Sequence, residues 1–223
     1  EQDIAFVNNE LDTASLETFA SGTDAFVTTW YDQSGNGNDA TQTSAADQPQ
    51  IVSSGSTLLL NNKPTIQSLN KRLLNSVFNT SVIKTDLFVY NTHSLAPSFN
   101  CYFDGGVQNT ANRSYYGSDN LTPQKEIMFE GVVLKSSVNA DSTQKVAFNI
   151  SNSPNSSIHI NNASVASGIT GANTNFVGIS LGRDYANSAY SNINYQEFVR
   201  WDNDQSTNRT GIETNINDFY SIY

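Results

Sequence analysis

The sequence predicts an all-β fold: a jelly-roll sandwich of two antiparallel sheets, with a short helix near the N-terminus and a second helix at the C-terminus. Asn, Ser and Thr make up 77 of the 223 residues, and these short polar side chains favour turns and exposed strands over helix interiors. Short apolar runs recur between clusters of Gly, Asn and Ser, which is typical of a β-sandwich. The 24 aromatic residues are spread along the chain and favour a packed core over a disordered coil.

Eight apolar runs are predicted to form strands, because turn residues bound them and several alternate in polarity. In the run 176–181, for example, Val177, Ile179 and Leu181 share one face of an extended chain. The predicted strands are 25–31, 57–60, 86–90, 127–134, 146–150, 157–160, 176–181 and 195–201. Trp30 and Trp201 lie inside these runs and are expected in the core.

Two segments are predicted to be helical. Asp12 is a suitable N-terminal cap for a helix that runs through Phe19, with Gly22 to end it. The second helix is predicted from Ser206 to about Tyr220, because apolar residues recur there at helical spacing. Its apolar stripe should pack on a sheet and consists of Ile212, Ile216, Phe219 and Tyr220.

The charge balance argues against two classes of partner. The chain carries 21 acidic and 11 basic residues, for a net charge of −10, and no cluster of Lys or Arg offers a footprint for phosphates. Nucleic acid and anionic membranes are therefore not expected partners, and no apolar run is long enough to span a membrane. Cys101 is expected to be a small buried apolar residue.

Two stretches resemble a known family. The first is WYDQSGNGNDATQ at 30–42, and the second is GISLGRD at 178–184, followed by YQEFV at 195–199 and the terminal helix. They resemble the concanavalin A-like (laminin-G-like) jelly-roll family and, within it, the catalytic domain of arabinofuranosidase B. The resemblance implies one domain over residues 1–223 that lacks the family's first strand, which in the family precedes the position of Glu1.

The same resemblance implies two candidate catalytic carboxylates, Asp104 in an FDGG turn and Asp184 after the run that contains Gly182. A retaining glycosidase needs two carboxyl groups about 5–5.5 Å apart. The family has Glu where this chain has Asp104, and a side chain about 1 Å shorter lowers the rate steeply. The family's adjacent cysteine pair is also missing. The alternative is that both are ordinary loop carboxylates.

A polar loop between glycines is a candidate calcium site, because calcium takes six to eight oxygen ligands from a curled backbone. The EF-hand pattern is incomplete here, since Thr43 stands where the bidentate Glu belongs. The alternative is a turn whose side chains bond their own backbone. The loop's candidate ligands are Asp32, Ser34, Asn36, Asn38 and Asp39. The sequence predicts no other cofactor.

Five tyrosines and two arginines in polar, Gly- and Asn-rich segments are the candidate ligand-binding residues. Aromatic faces beside polar donors suit sugars, which present C–H patches and hydroxyls together. The alternative is that the tyrosines only anchor loops. The set is Tyr102, Arg113, Tyr115, Tyr116, Arg183, Tyr185 and Tyr190.

The sequence therefore favours a non-catalytic glycan-binding or adhesive module of a secreted, cell-surface or virion protein. An arabinofuranosidase-like retaining glycosidase is the first alternative, and a structural decoration or fibre protein of a virion or surface layer is the second.

The absent first strand predicts an open sheet edge, and open edges recruit partner strands. Residues 3–7 alternate in polarity, with Ile4 and Phe6 expected to face inward. We expect this segment to pair with a sheet edge, and the chain to form a homo-oligomer or a larger assembly.

Overall fold

The computed structural model describes residues 1–94, 99–105, 114–171, 176–184, 186 and 191–223. Two helices, α1 (Thr13–Ala20) and α2 (Arg209–Tyr220), and a short 3-10 turn at Ala45–Asp47 accompany the strands. The strands are β1 (Phe6–Val7), β2 (Glu10–Leu11), β3 (Ala25–Phe26), β4 (Thr29–Trp30), β5 (Ala40–Thr41), β6 (Gln50–Ser53), β7 (Ser56–Thr57), β8 (Leu59–Leu60), β9 (Lys63–Pro64), β10 (Ile66–Leu69), β11 (Leu73–Thr80), β12 (Lys84–Ser94), β13 (Asn100–Gly105), β14 (Ser114–Ser118), β15 (Lys125–Phe129), β16 (Val133–Asn139), β17 (Lys145–Ser151), β18 (Ser156–Ile160), β19 (Ala163–Gly168), β20 (Phe176–Leu181) and β21 (Asn192–Trp201).

Two large antiparallel sheets form a sandwich. The nine-stranded sheet has the order β19-β18-β17-β12-β21-β10-β6-β3, with β7 added beside β6. The eight-stranded sheet has the order β16-β15-β14-β13-β20-β11-β5-β4. Every strand pair in both sheets is antiparallel. The predicted all-β sandwich with two helices is confirmed.

An aromatic core fills the space between the sheets. Phe88 and Tyr90 from the nine-stranded sheet meet Tyr102, Phe103 and Tyr116 from the eight-stranded sheet, and all five are at most 2% exposed. Their ring centroids lie 5.0–6.0 Å apart, within the range in which aromatic pairs attract. Aromatic residues that are far apart in the sequence thus pack together in one cluster.

Both tryptophans pack at the margins of apolar clusters. The ring of Trp30 lies 5.5 Å from the ring of Tyr195 against the inter-sheet core, and the ring of Trp201 lies 6.2 Å from that of Phe148. Both side chains are half-buried. Cys101 is buried, as predicted.

The two helices confirm the predicted capping and the predicted apolar stripe. Asp12 caps α1 by accepting a hydrogen bond from the backbone N–H of Ser15 at 3.1 Å. Helix α2 begins at Arg209, three residues later than predicted, and packs Ile212, Ile216 and Tyr220 on the outer face of the nine-stranded sheet. The fourth residue of the predicted stripe, Phe219, does not join this cluster and is 41% exposed. Neither helix is long and apolar enough to cross a membrane within the described part of the chain.

Three predicted strands are divided in the structure. The run 25–31 becomes β3 and β4, which belong to different sheets, so the chain crosses between sheets at this point. The run 57–60 becomes β7 and β8. The run 127–134 becomes the hairpin β15–β16, where Gly131 takes a φ of 90° that favours glycine. A continuous run of apolar residues in the sequence does not show where one strand ends and the next begins.

The prediction that residues 3–7 pair with the edge of a large sheet is wrong. Strand β1 pairs instead with β2, in a separate two-stranded hairpin turned by Asn8 and Asn9, both at positive φ. Ile4 packs inward as expected, but Phe6 is 56% exposed. The local Asn-Asn turn offers this segment a partner strand at short range, so the segment does not need a distant sheet edge.

Candidate functional site

The outer faces of the two sheets differ. Helix α2 covers part of the nine-stranded sheet, whereas no helix in the described ranges packs on the eight-stranded sheet. A row of directly opposed residues crosses all eight strands of that second sheet, and we call it the cross-strand row. In order it contains Val133, Phe129, Tyr115, Asp104, Ser180, Leu74, Thr41 and Thr29.

Alternation along the strands fixes which way this row faces. Phe103, Tyr116 and Leu73 are buried in the core between the sheets. Successive side chains of a strand point to opposite faces, so Asp104 and Tyr115, their neighbours in sequence, lie on the outer face. At the usual strand spacing the row spans about 33 Å, which is long enough to hold an extended ligand.

Three aromatic side chains form a cluster at one end of the row. The Tyr115 ring stacks on Phe129, with centroids 4.9 Å apart and planes 9° from parallel. The Phe99 ring meets Tyr115 edge-on at 4.8 Å. All three residues are half-buried, so the cluster offers a partly exposed apolar platform. We call it the Tyr115 platform.

Asp104 lies at the centre of the row, next to the platform. It is paired in register with Tyr115 on one side and with Ser180 on the other, and both Asp104 and Ser180 are 0% exposed. The Ser180 hydroxyl has no hydrogen-bond partner among the described residues. A carboxylate and a hydroxyl thus stand side by side on adjacent strands, at the edge of an apolar platform.

Asp184 lies beyond the end of β20 and is also buried. The strand register places Ser180, rather than Asp184, directly opposite Asp104. After Leu181 the chain turns at Gly182, whose φ is 90° and where a Cβ would lie 2.4 Å from the Ser68 hydroxyl oxygen. This turn requires glycine. A catalytic role for Asp104 and Asp184 stays a prediction.

Two arginines flank Asp184. Arg72 Nη1 lies 3.5 Å from the backbone carbonyl oxygen of Asp184, and Arg183 Nη1 lies 3.7 Å from Asp47 Oδ1. Arg183 is only 7% exposed, so its guanidinium is held within the structure rather than free in a loop. Arg183 is one of the candidate residues predicted from the sequence, whereas Arg72 is not, because no motif surrounds it.

Tyr102 and Tyr116, two of the candidate ligand-binding residues, point into the core. Both are strand residues with 0% exposure, and the Tyr116 hydroxyl lies 3.2 Å from that of Tyr90 inside the core. A register shift between Cys101 and Phe103 turns Tyr102 inward together with its neighbour, and such bulges carry no sequence signature here. Of the predicted tyrosines that the structure describes, only Tyr115 faces outward.

Three further predicted ligand-binding residues, Arg113, Tyr185 and Tyr190, lie outside the described residues. The sequence analysis also missed three members of the row and platform: Phe99, Phe129 and Ser180. They become neighbours of Tyr115 and Asp104 only through the strand order β15-β14-β13-β20. Alternation could have placed Phe129 outward, but only after residues 127–134 had been recognised as a hairpin.

The polar loop after β4 has the geometry of a self-bonded turn. The Asp32 carboxylate accepts the backbone N–H groups of Ser34 and Asn38 at 2.8 and 2.9 Å, and Asp39 Oδ1 accepts that of Asp32 at 2.8 Å. The Ser34 hydroxyl accepts from the Asn36 amide at 2.9 Å. Partial burial raises the pKa of Asp32, but these hydrogen bonds outweigh it and leave the pKa below its usual value.

This geometry matches the alternative to a calcium site. Within the described ranges, no three His, Cys, Asp or Glu side chains cluster closely enough to hold a metal ion. The side-chain oxygens of the candidate ligands come from two carboxylates, one hydroxyl and two amides. Calcium accepts such oxygens as ligands. Calcium binding at residues 32–39 stays a prediction.

Comparison with solved structures supports the fold. A GH54 α-L-arabinofuranosidase soaked with a cyclic sulfate inhibitor has a TM-score of 0.66 and 18% identity, over 92% of this chain and 53% of that one. An arabinofuranosidase complexed with arabinofuranosyl-α-1,2-xylobiose has a TM-score of 0.64 and 17% identity, with the same coverage. A Trypanosoma rangeli sialidase in complex with the inhibitor DANA has a TM-score of 0.57 and 9% identity, over 88% of this chain and 31% of that one.

Neither a protein-family model nor a curated protein sequence matches this chain. The chain spans about half the length of the arabinofuranosidase structures. At these identities the similarity establishes the β-sandwich fold, which hosts many unrelated sites, and the resemblance to the concanavalin A-like family stays a prediction.

Proposed function

We propose that this chain is a non-catalytic glycan-binding module that holds a neutral sugar chain along the cross-strand row. The observation that carries the proposal is the half-buried Tyr115 platform on the outer face of the eight-stranded sheet. Asp104 and Ser180 continue the row beside it and are 0% exposed. Flat aromatic rings contact the C–H faces of sugars, and neighbouring polar groups fix their hydroxyls.

The charge of the chain favours a neutral ligand. With a net charge of −10, the protein repels anionic chains over the distance of a Debye length. Two arginines beside Asp184 are already engaged, Arg183 with Asp47 and Arg72 with the Asp184 carbonyl. A neutral polysaccharide or glycan stem therefore fits this face better than an acidic glycan.

The structural neighbours support the ligand class. One neighbour is an arabinofuranosidase complexed with arabinofuranosyl-α-1,2-xylobiose, and another is a sialidase in complex with the inhibitor DANA. The proposal takes from them only the chemical class of ligand. The residues assigned to it are those of this chain.

The first test is a glycan array, probed in the presence of calcium and of a chelator. We expect binding to neutral glycans, and a loss of about fivefold or more in affinity for Tyr115→Ala, because an aromatic contact contributes on the order of 1 kcal/mol or more. Tyr223→Ala is the matched control, since Tyr223 is 48% exposed and lies at the far C-terminus. No binder above background, with or without calcium, would refute the proposal.

An arabinofuranosidase-like retaining glycosidase is the alternative, favoured by the TM-score of 0.66 to the GH54 structure. It would use Asp104 and Asp184, whose carboxyl groups would have to lie about 5–5.5 Å apart. Release of nitrophenol from 4-nitrophenyl α-L-arabinofuranoside, abolished by both Asp104→Asn and Asp184→Asn, would establish the enzyme. Binding without turnover would favour the module.

We further propose that the chain folds as one domain and works outside the cell, as a secreted, cell-surface or virion protein. Phe6 and Val7 are 56% and 52% exposed on the β1–β2 hairpin, and such apolar exposure suits contact with a second copy or with a larger assembly. This also supports the second alternative, a structural decoration or fibre protein.

Hydrogen exchange of the amides of residues 2–7, measured over a dilution series, tests the assembly. Protection that disappears on dilution supports an oligomer. Protection that persists to nanomolar concentration means that the hairpin is closed within one chain, and the oligomer proposal then fails.

A further inference from the structure

We propose a second binding site, separate from the cross-strand row, in a cavity at one end of the sandwich. The cavity has a volume of about 260 Å³ and lies where the start of β12, the end of β17 and the β15–β16 turn meet. Its occupant is one neutral sugar unit or a similar small polyol. None of the residues that line this cavity belongs to the cross-strand row or to the Tyr115 platform. An experiment can therefore refute one site without refuting the other.

A buried carboxylate forms the floor of this cavity. Glu130 is 3% exposed, and its Oε1 accepts hydrogen bonds from the Ser114 hydroxyl and, at 3.1 Å, from the Ser151 hydroxyl. Lys84 Nζ lies 2.9 Å from the same oxygen. The other oxygen, Oε2, accepts no hydrogen bond from any described residue, although Glu130 lines the cavity. A carboxylate oxygen is thus held rigidly with acceptor capacity to spare.

The charges behind the floor balance. Lys84 pairs with Glu130, and Arg200 makes a bidentate pair with Asp86 at 2.5 and 2.9 Å. These four side chains carry no net charge, and Asp204, which accepts a hydrogen bond from the cavity-lining Asn152 amide at 2.7 Å, adds a negative charge behind the polar wall. An anion would face the Glu130 oxygen, and a cation would face Lys84, which is fully buried beside it. A neutral O–H donor satisfies Oε2 without adding charge.

The remaining walls suit a sugar ring. Val82 and Ile83 are 38% and 42% exposed and form an apolar side, while Ser151, Asn152 and Thr170 supply a polar side. A ring with C–H groups on one face and hydroxyls at its edge matches both sides. Pockets for drug-sized ligands hold roughly 300–1,000 Å³, so this cavity has room for a single unit rather than a chain.

Methyl-resolved NMR tests the site, with methyl α-L-arabinofuranoside and methyl β-D-galactopyranoside as neutral probes. We expect saturable shifts at the methyl groups of Val82, Ile83 and Thr170, with dissociation constants in the millimolar range. Ile83→Ala should weaken binding at least fivefold, because it removes the apolar wall. Val77→Ala is the matched control: Val77 is 76% exposed, does not line the cavity, and should leave binding unchanged.

Both substituted side chains are at the surface, so folding is retained and is checked by the thermal midpoint. No shift at these methyl groups up to 100 mM of either glycoside would overturn the site. Larger shifts with methylammonium chloride or sodium acetate than with the glycosides would overturn the neutral occupant. Tyr115→Ala should leave these shifts unchanged, and shifts abolished by it would assign the binding to the outer face instead.

Discussion

Two buried glutamates, Glu126 and Glu130, lie between the sheets, and we call their surroundings the Glu126 end and the Glu130 end of the inter-sheet space. Glu126 and Glu130 lie four residues apart on the inward side of the β15 region, and both are at most 3% exposed. Each is near a lysine that begins a strand of the opposite sheet: Lys145 Nζ lies 3.8 Å from Glu126, and Lys84 Nζ lies 2.9 Å from Glu130. The same residue type in the same layer thus has two environments.

The Glu126 end is poor in hydrogen-bond donors. Burial raises the pKa of Glu126 to about 7, and Lys145 with the hydroxyls of Tyr90 and Tyr116 lowers it only in part. Neither carboxylate oxygen has a hydrogen bond of normal geometry from the described residues. Lys145 is also shared, since its Nζ lies closer to Asp141, at 2.6 Å.

At the Glu130 end, two hydroxyls donate to one carboxylate oxygen, and Lys84 Nζ forms an ion pair with the same oxygen at 2.9 Å. Burial lowers the pKa of Lys84, and the attraction of Glu130 opposes that change. The comparison teaches that two equally buried carboxylates of one layer can differ in the number of direct hydrogen-bond donors. The ligand cavity is proposed at the Glu130 end, where two hydroxyls hold the carboxylate in place.

The largest expected effect comes from breaking the donor-rich pair. Lys84→Met leaves the Glu130 charge buried with only two hydroxyls, and we expect a loss of about 3–5 kcal/mol in the free energy of unfolding. The double variant Lys84→Met/Glu130→Gln removes both charges and should recover part of that loss. Urea unfolding measures both.

The control for this experiment is Lys63→Met, at the exposed pair of Lys63 with Glu10. Exposed pairs contribute roughly 0–1 kcal/mol. If Lys84→Met lowers the free energy of unfolding no more than Lys63→Met does, the buried pair of Lys84 with Glu130 does not stabilise the protein as argued.

The second effect is the pH dependence of the donor-poor end. The folded protein holds a proton on Glu126 up to about pH 7, whereas the unfolded chain releases it near 4.5. The stability linked to this proton is therefore complete below about pH 4.5 and is lost as the pH rises towards 7, by on the order of 3 kcal/mol.

Glu126→Gln fixes the neutral form and should flatten this dependence, so the variant gains stability over the parent at pH 8. Urea midpoints at pH 5, 6, 7 and 8 measure the effect, with Glu10→Gln as an exposed control. A parent protein whose stability rises from pH 5 to 8 by the same amount as that of Glu126→Gln would contradict the raised pKa.

The sequence predicts the sandwich, the Asp12 cap and the apolar stripe of α2, because these depend on local patterns. It does not predict that Glu126 and Glu130 are buried between the sheets. An acidic residue in a strand is expected to face water, yet Glu126 alternates with Met128, which is in the core. The alternation indicated the burial, and the charge of the side chain argued against it.

The candidate site is predicted only in part, for the same reason. Asp104 could be picked from the family resemblance and Tyr115 from its polar, Gly- and Asn-rich segment, although both lie in strands. Their neighbours Phe129 and Ser180 could not, because the row depends on the pairing of four strands that are distant in sequence. Pairing between distant strands is the information that composition and periodicity lack.

The smallest expected effect concerns the sharing of Lys145. Asp141 is half exposed, accepts from Lys145 at 2.6 Å, and its negative charge contributes to raising the pKa of Glu126. Asp141→Asn removes that charge and releases Lys145 towards Glu126. The pKa of Glu126 should then fall towards its usual value, and the loss of stability with rising pH should shrink by less than about 1 kcal/mol. The midpoint series at pH 5 to 8 detects this as a shallower slope than that of the parent. A steeper slope would mean that Asp141 positions Lys145 for Glu126 rather than competing for it, and the donor-poor end would then owe its raised pKa to burial alone.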